Sequence, residues 1–525
     1  MTGRRKASRW ALTATVSVVL LVLWEVAADL WLSDKGVLGA PSEVLRSLVT
    51  DWPLYWSNFE VTAWIAVRGW LWGNLAAIII AFVFVQVPIL ESIFLRLAVT
   101  LFCLPLVAVN PILQLTFDVD RAKVILAALS VFFTTLVGGI LGLRSADAGT
   151  LTLIRAWGGG GLAATRYVRT PSSVPAMLTG LQIGVPAAVL GAIFGEFLGA
   201  KSGLGVLLIN GLMSLDLARV WSVAVLVTVM AAIPYVLIGV VRDRLAPWSA
   251  TISTAAAQRT ARGPRYLHAV TGAFWIAVSV VVILIAWSGY LKAFDVSPYV
   301  GKSPKVVWDY LFTGDLGAQN RVTVFDALRA TMVHSLVGYI AGMAVGVGCA
   351  SAFVTFPLLE RILTPVTVAL RSVPIIVLIP VLILALGRGL AGVIAIAAIV
   401  TFFPALANTQ NGLKRVPPDA MILMRSYSAS VWTSLWRVQL PYALPSIFAS
   451  ARIAAPTAVL AATLAEWLAT GDGLGHQIVN AQAHADYTGL WAGAAVLTGV
   501  SLIFYGCVTA TEQVILRRYS PASRY

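Results

Sequence analysis

Residues Pro171 to Asn210, PSSVPAMLTGLQIGVPAAVLGAIFGEFLGAKSGLGVLLIN, recur without a gap as Pro441 to Asn480, PYALPSIFASARIAAPTAVLAATLAEWLATGDGLGHQIVN. Shifting the first copy by 270 positions makes fourteen residues coincide, among them Pro171/Pro441, Pro175/Pro445, Pro186/Pro456, Glu196/Glu466, Gly203/Gly473, Gly205/Gly475 and Asn210/Asn480. Apolar residues match by chance in such a chain; paired Pro, Glu, Gly and Asn do not. Upstream, Phe132-Phe133 maps on Phe402-Phe403 and Arg155 on Arg425. The chain therefore reads as two copies of one unit.

Of the 525 residues, 59% are hydrophobic and 11% charged, whereas a soluble domain carries roughly 25% charged residues. Apolar runs approach or exceed the ~20 residues needed to cross a bilayer along the whole length. This composition excludes a soluble protein and predicts a polytopic all-α membrane protein. Cys103, Cys349 and Cys507 lie far apart inside apolar runs, where they read as small buried hydrophobes rather than as a metal or disulfide framework.

Twelve spans are expected, six per half. The first follows Arg4, Arg5, Lys6 and Arg9 and runs from about Trp10 to Leu32, too long for the apolar core of a secretory signal. Glu25 near its far end reads as interfacial. The others fall near 61–88, 92–117, 122–143, 177–198 and 218–241, then near 269–291, 328–355, 360–386, 390–411, 446–468 and 488–514. Gly39 to Val44 opens a segment whose partner is Gly301 to Val306. Basic residues concentrate in the 144–171 loop, in its counterpart after Lys414, in the linker and in the tail, which predicts both termini in the cytoplasm. The net charge of +14 is thus topological, and nucleic acid is not an expected partner. The expected division is a first transmembrane unit at 1–246, a Ser/Thr/Ala/Arg-rich cytoplasmic linker at 247–266 and a second transmembrane unit at 267–525. Six spans return the chain to its starting side, so the halves share one orientation about a pseudo-twofold along the membrane normal.

Two loops on the basic side are patterned alike. One carries Arg155-Ala156-Trp157-Gly158, then Arg166, Tyr167 and Pro171; the other carries Arg425-Ser426-Tyr427-Ser428, then Trp436, Arg437 and Pro441. Each predicts a short surface helix, a break, and a proline at the start of the next span. Such an element suits the transmission of force from a cytoplasmic partner.

With these residues in view, the chain resembles the permease subunits of ABC importers with the binding-protein-dependent transport fold, and within them the nitrate/sulfonate/taurine group. Arg371-Ser372-Val373-Pro374 with Pro380, Phe402-Phe403-Pro404, Leu440-Pro441, and Ala465-Glu466-Trp467-Leu468 followed by Gly473-Leu474-Gly475 carry the likeness in the second half. Leu104-Pro105 with Pro111, Thr170-Pro171, and Gly195-Glu196-Phe197-Leu198 followed by Gly203-Leu204-Gly205 carry it in the first. Where the family has Glu-Ala-Ala before a glycine, this chain has Thr152-Leu153-Ile154 and Ile422-Leu423-Met424, so the contact with an ATPase differs in detail. The resemblance implies two fused permease units on a translocation path, a solute-binding protein outside, and two copies of a separate ABC ATPase holding ATP and Mg. The implied solute is small and anionic or zwitterionic, and the implied location is the bacterial cytoplasmic (inner) membrane. This chain itself is expected to bind no cofactor and to catalyse nothing: it has no G-x-x-x-x-G-K-[ST] phosphate loop.

Glu196 and Glu466 are the sharpest single residues. A carboxylate inside a span costs roughly 2.5–3.5 kcal/mol on insertion scales, so each must face the bundle interior, water or a donor. Two readings stand: the pair lines the pathway or braces the outer gate, or each accepts backbone N–H groups of the following Gly-Leu-Gly turn. Gly203, Gly205, Gly473 and Gly475 read as tight corners. Asn110, Gln182 and Arg371, with Asn74, are polar candidates for the path, with helix–helix hydrogen bonding the competing use. His476 and His484 near Asp472 and Asp486 have spacing too loose for a metal site, and His334 reads as a satisfied polar contact. The rival function is a secondary transporter or channel with parallel repeats and no ATPase.

Overall fold

The computed structural model describes residues 22, 24–26, 28, 39–197, 199–214, 216–246, 265–360, 362, 363, 367, 379, 382, 383, 386, 387 and 389–519. Among them eight helices are long and apolar enough to span a membrane: Trp52–Gln86, Val119–Arg144, Gly161–Phe197, Leu217–Leu245, Gly317–Thr355, Leu390–Lys414, Val431–Leu468 and Tyr487–Leu516. They coincide with eight of the twelve expected runs. The runs near 10–32 and 360–386 fall mostly outside the described residues, as does Arg371. The run near 269–291 lies in a helix, Arg265–Ala293.

The run near 92–117 needs correction, because it is not one straight span. Helices Leu97–Cys103 and Leu106–Thr116 meet at 102°. The cause is Pro105: its ring pushes the preceding residue out of helical conformation, and Leu104 is extended at φ −66°, ψ 124°. The fifth span of each half also begins some fifteen residues earlier than expected, since the patterned loop is itself helical and joins the span directly.

In chain order the elements used below are α1 (Pro41–Thr50), α2 (Trp52–Gln86), α3 (Val119–Arg144), α4 (Ala148–Ala156), α5 (Thr170–Phe197), α6 (Leu204–Met213), α7 (Leu217–Leu245) and α8 (Arg265–Ala293). They continue with α9 (Pro304–Trp308), α10 (Gly317–Thr355), α11 (Leu390–Lys414), α12 (Pro418–Ser426), α13 (Leu440–Ala469), α14 (Leu474–Ala483) and α15 (Tyr487–Tyr519).

Packing groups the residues into two compact units that are not the sequential halves. One comprises 53–209 and 225–314; the other comprises 1–52, 210–224 and 315–525. Inside the first, Ala77, Ala81 and Phe84 of α2 pack on Leu136, Ile140 and Leu143 of α3. Inside the second, Ala350 and Phe353 of α10 pack on Leu406 and Leu413 of α11 and Ala443 of α13. Small residues permit the approach. A Cβ on Gly69 would lie 2.3 Å from the Ala127 Cβ, and one on Gly338 would lie 2.4 Å from the Ala397 Cβ. Close backbone contact at small residues is how helices associate where lipid is the solvent.

Candidate functional site

In the first copy α6 starts at Leu204, and its leading N–H groups have no acceptor within the helix. Side chains from α2 and α5 supply them. The Gly203 N–H donates to Asn58 Oδ1 (2.7 Å), Leu204 N–H to Thr62 Oγ1 (2.8 Å) and Gly205 N–H to Glu196 Oε2 (2.7 Å). The Thr62 hydroxyl in turn donates to Glu196 Oε1 at 2.8 Å. Gly203 is at φ +130°, and a Cβ there would sit 2.2 Å from the Glu196 carboxyl carbon. Only glycine allows that backbone and leaves room for the carboxylate.

The second copy repeats the device with other partners. Leu474 N–H donates to Thr331 Oγ1 (2.8 Å), Gly475 N–H to Glu466 Oε2 (3.0 Å), and the Thr331 hydroxyl to the same oxygen (2.8 Å). Glu466 Oε1 is taken by His334 Nδ1 at 2.8 Å. Here α2 and α10 correspond with an offset of 269, which places Ala327 at the position of Asn58 and His334 at that of Ile65. Both glutamates are fully buried, at 1% and 0% exposure. The chemistry is that of a carboxylate clamping a helix start, favoured by the positive end of the helix dipole.

The patterned loops are also built twice. Helix α4 and helix α12 have no buried residue. Each ends at an aromatic residue, Trp157 or Tyr427, both 78% exposed. A left-handed residue follows, Gly158 at φ +79° or Ser428 at φ +51°. A short helical turn then leads into a π-helical turn, Thr165–Arg169 or Leu435–Gln439, that runs into α5 or α13. The reason lies in Pro171 and Pro441. A helix-interior proline lacks an N–H and clashes with the carbonyl four residues back, and a wide turn just before it relieves both. Arg166 stacks over the Tyr167 ring at 5.5 Å. Leu162 and Tyr167, and Trp432 and Trp436, stand out into solvent. Arg155, Arg425, Ser426 and Arg437 lie on the same two elements.

The remaining polar candidates are engaged within their own unit. Asn110 Nδ2 donates to the Phe194 carbonyl (2.9 Å) and accepts from Gln114. Asn74 accepts from the Thr135 hydroxyl at 2.6 Å. Gln182 donates to the Tyr235 carbonyl (3.1 Å) and accepts from Arg242 at 2.9 Å. Among the described residues no group of three or more His, Cys, Asp or Glu could hold a metal ion.

One relation escaped the sequence reading. The shift of 270 maps Gln182 on Arg452 and Arg242 on Glu512. Arg452 Nε lies 3.2 Å from Glu512 Oε2, so the cation and its partner have traded helices between the copies. Lys123 was also missed. It is 3% exposed, packs against Gly195, and pairs with Asp120 at 3.1 Å, where the second copy has Val393.

Residues 73–250 and again 342–518 match the family described as binding-protein-dependent transport system inner membrane component. A probable ABC transporter permease protein of Haemophilus influenzae is 26% identical over 224 residues, covering 43% of this chain and 89% of that protein. The formylaminopyrimidine transport permease protein of Halalkalibacterium halodurans is 28% identical over 192 residues, or 37% of this chain and 77% of that protein. A putative aliphatic sulfonates transport permease protein of Bacillus subtilis is 26% identical over 196 residues, or 37% and 70%. Each relative spans less than half of this chain, as a duplication requires. The chain belongs to the binding-protein-dependent transport system inner membrane components and is a permease component of an ABC importer, carrying the family's domain twice.

Proposed function

We propose that residues 1–246 and 267–525 act as the two permease units of one importer, joined by the cytoplasmic linker 247–266. One polypeptide then does the work of a pair of subunits. The observation that supports this most directly is the twofold occurrence of an unburied helix, an exposed aromatic and a π-helical turn leading rigidly into a span. Two copies of an ABC ATPase, holding ATP and Mg, dock on these elements from the cytoplasm and drive alternating access. A solute-binding protein loads the opposite face, both termini lie in the cytoplasm, and the assembly resides in the bacterial cytoplasmic membrane. Arg155, Trp157, Gly158, Arg166 and Tyr167 form one docking element; Arg425 to Ser428, Trp436 and Arg437 form the other. Glu196 and Glu466 brace the turns at the outer gate, and Asn110, Gln182 and Arg371 are candidates for the path.

The solute is a small anion or zwitterion, in line with the name of the Bacillus subtilis relative. The relative named for formylaminopyrimidine makes an uncharged heterocycle the competing class. Purification of the chain with a genomically adjacent ATPase, followed by mass determination, tests the partner reading: one chain with two ATPase copies is expected. Uphill accumulation by the chain alone from an ion gradient would overturn it. Stimulation of ATP hydrolysis in liposomes by sulfonates against pyrimidines decides the solute class.

A further inference from the structure

The pairing of Gly39–Val44 with Gly301–Val306 is out of register by one residue. An offset of 263 aligns Trp24 with Trp287, Pro41 with Pro304 at the first position of α1 and α9, and buried Val44 with buried Val307. In the first copy the carboxylate of Glu25 bonds to the first turn of α1: Oε2 accepts the Ser42 N–H at 3.1 Å and Oε1 accepts the Ser42 hydroxyl. The same offset puts Ser288 at the position of Glu25, Lys292 at that of Asp29, Lys305 at that of Ser42 and Val306 at that of Glu43. Three acids have gone and two bases have arrived. The carboxylate has no successor in the chain.

In its place is an open groove of about 560 Å³. Its lining includes the polar side chains of Ser288, Lys292 and Lys305 and the apolar ones of Val281, Leu284 and Ile285. The ion pairs among the described residues use neither lysine. Residues 281, 285, 288 and 292 share one face of α8. They run about 16 Å along its axis at 1.5 Å per residue, close to half of a ~30 Å hydrocarbon layer. The apolar end is exposed, with Val281 at 53% and Ile285 at 64%. Aromatic side chains mark the other end as interfacial: Trp308 is exposed and packs on Phe312 at 4.5 Å, and Lys302 lies 5.7 Å over the Tyr299 ring.

We propose that this groove binds an anionic phospholipid, with the phosphate between Lys292 and Lys305 and an acyl chain along Val281, Leu284 and Ile285. The headgroup supplies the negative charge that Glu25 supplies in the first copy. An apolar solute would leave both lysines without an anion, and a free anion would leave the apolar face unfilled.

The test uses the full chain in nanodiscs containing phosphatidylglycerol with a diazirine on its acyl chain, or the same probe on phosphatidylcholine. Labelling of the peptide around 281–292 by the phosphatidylglycerol probe is expected, with little by the other. Each basic residue near an anionic surface contributes about fivefold, so K292Q/K305Q should reduce labelling roughly 25-fold. Ser288→Glu, which restores the first copy's carboxylate and keeps both lysines, should abolish labelling while the thermal midpoint is unchanged. Equal labelling by the two probes, full labelling of either variant, or loss of labelling on adding excess inorganic phosphate would each overturn the proposal.

Discussion

His334 Nδ1 lies 2.8 Å from Glu466 Oε1, a contact that the first copy replaces with an apolar residue, Ile65. The two glutamate clamps are therefore equivalent in position and different in chemistry. His334→Leu leaves one buried carboxylate oxygen without its partner, at a cost of about 1–3 kcal/mol. A lowered thermal midpoint with unchanged ATPase copurification is expected. Ile65→Val, at the matching place, should change little.

Gly473 sits at φ +93°, and a Cβ there would lie 2.2 Å from the Glu466 carboxyl carbon. Gly473→Ala combines a left-handed backbone cost of roughly 1–2 kcal/mol with a collision on a buried group. Severe loss of folded protein is expected in detergent size-exclusion profiles. Gly471→Ala, two residues away with open space around it, is the control that should behave as the parent.

Arg452 and Glu512 form an ion pair where the first copy has Gln182 and Arg242. Arg452→Gln alone leaves Glu512 without its cation and should cost on the order of 1–3 kcal/mol. The double exchange R452Q/E512R recreates the first copy's pairing. It should recover most of that loss in a double-mutant cycle read by thermal unfolding.

Asp147 caps helix α4 by accepting from the Thr150 N–H (2.8 Å) and hydroxyl (2.9 Å), and these bonds hold its carboxyl below the usual range. A depressed value means the cap is complete above the unfolded pKa of about 3.9 and is lost as pH falls through the folded one. Protection of the Thr150 amide in hydrogen exchange should thus be flat from neutral pH downward until strong acid. Asp147→Ala should remove it at every pH.

Trp157 and Tyr427 are 78% exposed at the ends of helices with no buried residue. Replacing either with Ala should shift stability by no more than about 0.5 kcal/mol. ATP hydrolysis by the copurified ATPase should fall in each, and the double variant should fall furthest.

Much of this was legible in the residues because the repeat carries its own controls. Paired Pro, Glu and Gly mark the place of the clamp, and hydrogen bonding to the Gly-Leu-Gly turn is one of the two uses of the glutamates that the sequence leaves open. The bend at Leu104-Pro105 was present in the letters, yet a hydropathy run integrates over twenty residues and cannot register a 102° break. The partners Thr62 and Thr331 could not be found, since each lies more than 130 residues from its glutamate. Ordinary threonines in apolar spans give no local sign of such a use. The exchange of Arg452 and Glu512 is legible in the sequence, since the same shift that pairs the prolines pairs these positions with Gln182 and Arg242.

Helix Gly161–Phe197 has 37 residues and Val431–Leu468 has 38, so each is near 55 Å long at 1.5 Å per residue, against a hydrocarbon layer of ~30 Å. Roughly 25 Å of each rod must project beyond the oily layer. The excess lies at the end that carries the basic loop, because each helix begins some fifteen residues before its apolar run. A displacement of the Arg166 or Arg437 end is therefore passed along one continuous helix to the residue that clamps the following turn, Glu196 or Glu466.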